Sequence, residues 1–232
     1  WSTLGFLVSK ISDYNFSPEE VAFFRMVGGF IVISIYGKIT MPTMFKITKK
    51  GILYVFAIGI VCQFIFNIAY MGSISMVGAS MAAVLLYVSP VFVAIFSKIV
   101  YKEKINKIKI LSLIFCVIGA FLAVTGGKIE IKELNIGGII AGIMAAITYA
   151  MLPIFNKNAL KEMDNITMSA YAFLIAAIIM CFRVNPIHTI SKIDNMRVLM
   201  YILFIGIIPT AMSYIVYSKG ILKGVELSIA GV

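Results

Sequence analysis

Charged residues, and acidic residues above all, are scarce in this chain of 232 residues. Asp, Glu, Lys and Arg together make up 13% of the sequence, only 10 residues are acidic, and 61% are hydrophobic. A soluble domain carries about 25% charged and 45–50% apolar residues, and its surface could not hide such an excess of apolar side chains. The composition therefore excludes an ordinary soluble fold and predicts a protein whose main partner is the lipid bilayer.

Residues that hold metals or carry nucleophilic chemistry are also few. His188 is the only histidine, and the three cysteines, Cys62, Cys116 and Cys181, lie inside apolar runs without metal-ligand spacing. We therefore expect buried, inert thiols, no metal and no cofactor. An intramembrane enzyme is not expected either, because it would need a nucleophile–base pair, an acid dyad or a metal at membrane depth.

Long apolar runs joined by short polar loops predict an all-α integral membrane protein, a polytopic helix bundle, because a spanning helix needs about 20 mainly apolar residues. The chain begins at Trp1 and ends at Val232 inside such runs, so we expect a piece of a longer protein that lacks part of its first helix and its last helices. The predicted spans 1 to 9 are residues 1–11, 18–37, 51–73, 78–100, 108–126, 136–155, 167–182, 198–218 and 224 onward.

Basic residues concentrate in every second loop. Thirteen of the 20 Lys and Arg residues follow spans 2, 4, 6 and 8, whereas five lie in the opposite loops. By the positive-inside rule, the even-numbered spans end in the cytoplasm. The same distribution accounts for the net charge of +10 without a nucleic-acid partner, since the basic residues form no single stripe.

An internal repeat emerges when the chain is shifted by 147 residues. Residues 58–60 then overlie residues 205–207, both reading Ile-Gly-Ile, and Tyr70 overlies Tyr217. The predicted repeats are residues 1–127, with spans 1–5, and residues 128–232, with spans 6–9. Since five is an odd number, the second repeat is inserted upside down. Such inverted repeats are typical of secondary transporters, which bind substrate near the bilayer midplane between the halves.

Predicted helix 4, the loop after it and the end of helix 5 carry a family resemblance. Residues 82–96 read AAVLLYVSPVFVAIF, residues 101–105 read YKEKI, and residues 117–122 read VIGAFL. This segment resembles the EamA repeat of the drug/metabolite transporter superfamily. Arg25 and Trp1 resemble the family's arginine early in helix 2 and its tryptophan in helix 1.

The resemblance covers essentially the whole chain. It implies a ten-helix bundle of two inverted five-helix repeats, with both termini cytoplasmic, in the cytoplasmic membrane of a bacterium. Many members of the family export amino acids or related metabolites. The family's second proline and second acidic residue would lie beyond Val232.

Polar side chains inside the spans point to a substrate cavity, because such side chains usually face the bundle interior or a wet cavity. Span 3 places three of them on one face, and span 8 repeats the pattern at spacings of three and four residues. Two matching walls around a pseudo-axis would enclose one pocket, although bonds that only fix helix packing are the alternative. The predicted lining comprises Gln63, Asn67, Tyr70, Tyr87, Ser89, Tyr149, Ser213, Tyr214 and Tyr217.

Two prolines and two cations complete the candidate site. Pro90 and Pro209 each remove a backbone donor inside an apolar span, so we predict hinges there, with static kinks as the alternative. Lys10 and Arg25 lie near the non-cytoplasmic ends of their spans. There they can draw in a carboxylate, pair with the acidic residues at 19 and 20, or snorkel to the interface without a ligand.

Gly138 and Gly142 form a GxxxG pattern in span 6. Small residues at this spacing let helix backbones approach closely. We predict packing inside the bundle, with a homodimer contact as the alternative.

The sequence thus predicts a secondary transporter, an exporter of amino acids or similar small metabolites that works by alternating access. A transporter of sugar phosphates or nucleotide sugars is the second hypothesis. It requires a midplane Lys or Arg, and none lies at residues 51–94 or 198–217. A structural or receptor-like membrane protein that transports nothing is the third, and it predicts a dry, packed centre.

Overall fold

The computed structural model describes residues 3–41, 44–103, 107–125 and 135–222. Trp1, the predicted repeat boundary at residues 127 and 128, and span 9 lie outside these ranges. Within them the chain forms helices and no strand. In chain order they are α1 (Leu4–Ser12), α2 (Pro18–Thr40), α3 (Lys49–Ala57), the π-helix π1 (Ile58–Ile65), α4 (Phe66–Leu86), α5 (Ser89–Tyr101), α6 (Lys107–Thr125), α7 (Ile136–Ala159), α8 (Asn165–Met180), α9 (Pro186–Ser191), α10 (Met196–Gly206), the π-helix π2 (Ile207–Met212) and α11 (Ser213–Leu222).

Several of these helices are long and apolar enough to cross a bilayer. Four reach full length, and the α5, α6 and α8 regions supply shorter apolar helices. Large apolar side chains remain exposed along α6, as a lipid-facing surface requires. The protein is therefore a multi-pass helical membrane protein, as the composition predicts. The four full-length spans are Pro18–Thr40, Lys49–Leu86, Ile136–Ala159 and Met196–Tyr217.

Predicted span 4 is not one continuous helix. The helix of span 3 continues to Gly78, whose φ of 81° breaks it in a region of backbone space that favours glycine. A second break follows at Tyr87 and Val88, and α5 starts at Ser89 with Pro90 in its first turn. The prediction that Pro90 interrupts a helix is therefore wrong. A first-turn N–H has no acceptor within its helix, so the missing donor of proline costs nothing there.

The helix caps support the 147-residue repeat. The Ser17 side chain caps α2 and Asp164 caps α8, each accepting a hydrogen bond from the backbone N–H three residues later. Thr48 caps α3 in the same way, and Asn195 caps α10 by accepting from the N–H two residues later. Both pairs are 147 residues apart. Side-chain caps satisfy N–H groups that the first turn leaves free, so the two halves begin their helices by the same local chemistry at matching positions.

The two π-helices also fall at matching positions. The shift carries residues 58–65 of π1 onto residues 205–212, which contain π2. A Cβ added to Gly59 would lie 2.9 Å from Ile175 in α8, and one added to Gly206 would lie 3.0 Å from the Cα of Gly28 in α2. These contacts are related by the same shift, because residue 28 overlies residue 175 and residue 59 overlies residue 206. A glycine of each predicted repeat thus packs closely against a helix of the other.

The GxxxG glycines of α7 pack inside the bundle, which confirms that prediction. A Cβ on Gly138 would lie 2.6 Å from Val77, and one on Gly142 would lie 2.9 Å from the Ser73 hydroxyl. That hydroxyl also donates a 2.9 Å hydrogen bond to the Gly138 carbonyl. Because α4 covers both glycines, they leave no room for the second copy that a homodimer contact would require.

Replacing Gly28 by Ala tests the helix crossing at which the backbones of α2 and α10 meet. The new Cβ would lie 2.9 Å from the Cα of Gly206, a backbone atom that cannot rotate away. We expect the variant to lose about 1–3 kcal/mol of unfolding free energy.

The control is Gly119→Ala in α6, where nothing lies within 4 Å of the new Cβ. Alanine in place of a helical glycine stabilises by roughly 0.5–1 kcal/mol, so the two variants should shift in opposite directions. Thermal unfolding in detergent micelles measures both, and a stabilised Gly28→Ala variant would contradict the crossing.

Candidate substrate site

Arg25 lies at the centre of the candidate site. It follows Pro18 by seven residues, which places its backbone about 10 Å inside the helix end, and only 2% of its surface is exposed. Its Nε donates a 3.1 Å hydrogen bond to the Thr210 hydroxyl, and Nη1 donates to the Asn67 side-chain carbonyl. The expectation that Arg25 snorkels or pairs with the acids at 19 and 20 is wrong, because the side chain points inward to two neutral acceptors.

A second buried contact joins the two predicted walls. The Gln63 side-chain amide donates a 2.6 Å hydrogen bond to the Tyr214 hydroxyl. Asn67 in turn donates a 2.6 Å bond to the backbone carbonyl of Gln63. The polar face predicted on span 3 and that predicted on span 8 therefore meet. We call Arg25, Gln63, Asn67, Thr210 and Tyr214 the central network.

Pro209 explains how Thr210 reaches Arg25. In a regular helix the N–H of residue 209 would bond to the carbonyl of Ile205, but proline has no N–H. The Thr210 hydroxyl donates to that carbonyl instead, at 2.8 Å. The Thr210 hydroxyl oxygen also accepts the hydrogen bond from Arg25. Pro209, predicted as a hinge, thus lies within π2 and sets the position of one ligand of the guanidinium.

Aromatic rings surround the central network. The Phe66 ring stacks on Tyr70 at 5.6 Å and contacts Tyr149 at 5.5 Å between centroids. The guanidinium of Arg25 lies 6.0 Å from the Phe66 centroid. The sequence did not single out Phe66, because a phenylalanine in an apolar span carries no polar signal. The predicted tyrosines 70 and 149 are therefore linked to the network through a residue that was missed.

The central network combines repeat-equivalent residues with one unmatched cation. Gln63 and Thr210 are 147 residues apart, as are Asn67 and Tyr214. The residue equivalent to Arg25 is Ala172, which is fully buried. Because one half supplies a guanidinium and the other a methyl group, the network has one positive charge where the other network residues match at a spacing of 147 residues.

Other predicted residues lie apart from the central network. Tyr87 is 51% exposed, and the Ser213 hydroxyl donates back to its own helix at the Ile208 carbonyl. Lys10 lies at the surface and pairs with Asp13 at 3.4 Å.

Tyr217 and Ser89 also lie outside the central network. Tyr217 hydrogen-bonds to the side chain of Asn156 in α7, and Ser89 is buried at the start of α5. Whether they line a cavity stays a prediction, as it does for the residues that lie apart.

Ion pairs tie the end of the bundle where α2 begins, which is the predicted non-cytoplasmic end. Glu20 is buried, lies 2.8 Å from the Lys192 ammonium and accepts a 3.1 Å hydrogen bond from Thr189. Glu19 pairs with Arg183 at 3.1 Å. We call this set the outer lock, because it joins α2 to the segment that carries α9.

Polar contacts also tie the opposite end. The Thr48 hydroxyl donates a 2.6 Å hydrogen bond to Glu162. Lys157 pairs with Glu103 at 3.2 Å and lies 4.0 Å from the centroid of the Tyr101 ring. The central network thus lies between two tied ends, and its buried side chains are closed off from both.

In the described part of the chain, no group of three or more His, Cys, Asp and Glu residues could hold a metal ion. Cys62 is buried as expected. Cys181, however, is exposed, because it directly follows the last turn of α8 rather than lying inside the bundle.

Comparison with known proteins places these features in a family context. The model of the EamA-like transporter family matches residues 1–125 and 136–232. The chain is 24% identical over 227 residues to the uncharacterized transporter YyaM of Bacillus subtilis, which covers 93% of this chain and 72% of that protein. It is 26% identical over 216 residues to an uncharacterized transporter of Archaeoglobus fulgidus, covering 91% and 73%. No solved structure matches the chain significantly.

The cost of the buried guanidinium is measurable with two variants. Asn67→Leu removes one of the two acceptors of Arg25, and we expect a loss of about 3–5 kcal/mol because a buried charge loses its partner. The double variant Arg25→Met/Asn67→Leu removes charge and acceptor together and should recover most of that loss. Unfolding in detergent measures the stability of both variants. A double variant less stable than Asn67→Leu would show that the charge itself stabilises the fold.

Proposed function

The chain belongs to the EamA-like transporter family, and from this we infer that it is a secondary transporter that exports small metabolites such as amino acids across the cytoplasmic membrane by alternating access. The relatives in Bacillus subtilis and Archaeoglobus fulgidus are named transporters without a substrate. The direction of export and the substrate class are therefore part of the proposal.

The central network is the observation that carries the proposal. A cation inside a membrane bundle costs several kcal/mol, and apolar residues of similar size often give equal or better stability. A bundle that only had to be stable would gain nothing from Arg25. Its place between the two repeats is the place where transporters with inverted repeats hold their substrates.

The close glycine crossings suit a rocking motion. At Gly206 the backbones of α10 and α2 approach each other without intervening side chains, and at Gly59 π1 packs closely against the Ile175 side chain of α8. Few side chains must rearrange when such surfaces pivot. Opening at one end would release the outer lock, and opening at the other would release the contacts of Glu162 and Glu103, so each release exposes the central network to one side.

The alternatives receive less support. A sugar phosphate carries about two negative charges, whereas the central network supplies a single cation. The third hypothesis, a protein that transports nothing, predicts a packed centre, and the network side chains are indeed buried in this arrangement. A charge at that centre nevertheless favours transport, because an inert bundle has no use for it.

Counterflow into proteoliposomes tests the proposal. The purified full chain is reconstituted, the vesicles are loaded with one unlabelled amino acid, and uptake of its labelled form is followed against protein-free vesicles. We expect counterflow for at least one amino acid. Absence of flux for amino acids, sugar phosphates and amphipathic amines, with protein that is helical by circular dichroism, would refute the proposal.

Replacing Pro209 by Ala tests the role of π2 in the motion. Alanine restores an N–H that can bond to the Ile205 carbonyl and favours a regular helix, which strengthens one arrangement by about 1 kcal/mol. We expect the initial rate of counterflow to fall about fivefold while the substrate Kd changes little. Pro90→Ala is the matched control, because the first turn of α5 needs no such bond, and an equal loss in both variants would contradict a specific role of π2.

A further inference from the structure

Arg25 has no carboxylate partner in the described part of the chain. The seven acidic residues described there lie elsewhere: Asp13 contacts Lys10, Glu19 contacts Arg183, Glu20 contacts Lys192, Glu103 contacts Lys157, Glu162 contacts Thr48, Asp164 caps α8 and Asp194 is exposed. Both acceptors of the guanidinium are neutral oxygens. A buried guanidinium with only neutral partners keeps its whole positive charge, and an anion brought against it would be strongly attracted.

The guanidinium also keeps donors in reserve. It carries five N–H groups, and its hydrogen bonds to Thr210 and Asn67 use two of them. The remaining three, all on the terminal nitrogens, have no partner among the described residues. Two parallel N–H groups match the two oxygens of a carboxylate, which is the geometry that makes arginine an anion-binding residue.

Gln63 provides an unpaired hydrogen-bond acceptor in the same network. Its side-chain carbonyl is buried and has no hydrogen-bond partner among the described residues, although its amide nitrogen bonds to Tyr214. Buried acceptors are rarely left unpaired. Asn67 links this residue to Arg25, because it accepts from the guanidinium and donates to the Gln63 backbone. An unused acceptor on π1 and unused cationic donors on α2 are therefore linked through Asn67.

From these groups we propose that the central network recognises a zwitterion, an α-amino acid whose carboxylate binds the terminal N–H groups of Arg25 and whose ammonium donates to the side-chain carbonyl of Gln63. The inference rests on the proposed transport function and assigns the two charged groups of its substrate to two residues. A carboxylate balances the one positive charge, whereas a phosphate would leave excess negative charge. The rings of Phe66, Tyr70 and Tyr149 provide an apolar wall for the side chain of the amino acid.

Three matched ligands test the proposal on the wild-type chain in proteoliposomes. L-Phenylalanine has both charges, L-phenylalaninamide lacks the carboxylate, and L-phenyllactate lacks the ammonium. Each is added outside the vesicles and competes with the counterflow uptake of the labelled amino acid. We expect the amide and the hydroxy acid each to bind roughly ten- to a hundredfold more weakly than phenylalanine, the range for the loss of a charged hydrogen bond.

Variants assign the two charges to the two residues. Arg25→Gln should remove the preference for phenylalanine over its amide, and Gln63→Leu should remove the preference over phenyllactate. Lys38→Gln is the matched control, because it removes the same charge from an exposed position on α2 and should preserve both preferences. Should Arg25→Gln fail to fold, Arg25→Lys keeps the charge but loses the paired N–H groups, and a weaker preference for the carboxylate is expected.

Distinct outcomes overturn distinct claims. If the amide competes as well as phenylalanine, Arg25 is a structural residue and the zwitterion site is refuted, while transport itself stands. Stronger competition by phenyl phosphate than by phenylalanine would reassign the site to phosphate compounds. If Glu226→Gln restores the stability lost in Arg25→Gln, Glu226 is the counter-ion and the proposal fails. No flux for any compound would refute the proposed transport function rather than this assignment.

Discussion

The hydrogen bonds of the buried Arg25 guanidinium are the interaction on which the rest of the candidate site depends. A full positive charge two helical turns inside a membrane bundle requires polar partners, and it finds them in Asn67 and Thr210. Thr210 is aimed by the bond that its hydroxyl makes to the carbonyl freed by Pro209. Asn67 is held by its bond to the Gln63 backbone. The two π-helices and the charge thus belong to one arrangement.

The two halves of the chain share their architecture but differ in their chemistry. Side-chain caps, π-helices and closely packed glycines recur at a separation of 147 residues, so the two halves of the backbone share these local features. The charge does not recur, since Ala172 occupies the place equivalent to Arg25. Under the proposed function, matching halves would permit the same motion toward either side, whereas the single charge would fix the orientation in which a polar substrate binds. Transport and recognition can therefore reside in different features of the same bundle.

Local patterns predicted local features well. The polar faces of spans 3 and 8, read from spacings of three and four residues, meet through Gln63 and Tyr214, and the GxxxG glycines pack against α4. The errors arise where a residue type has two uses. Pro90 starts a helix instead of bending one. The predicted lining did not include Phe66, because a phenylalanine that packs its ring against the site cannot be told from any other in an apolar run. For Arg25 the sequence left ion pairing with the acids at 19 and 20 and snorkelling open, and the structure shows neither.

The sequence by itself determined the membrane-embedded helical class, the places of the four full-length spans and the helix caps, because each depends on apolar length or on side chains within three residues of the backbone they satisfy. Only the tertiary structure decided what surrounds Arg25, since its partners lie 42 and 185 residues away and the Gln63 contact joins residues 151 apart. Burial, and with it the cost of a charge, is a property of packed neighbours. No pattern of adjacent residues specifies it.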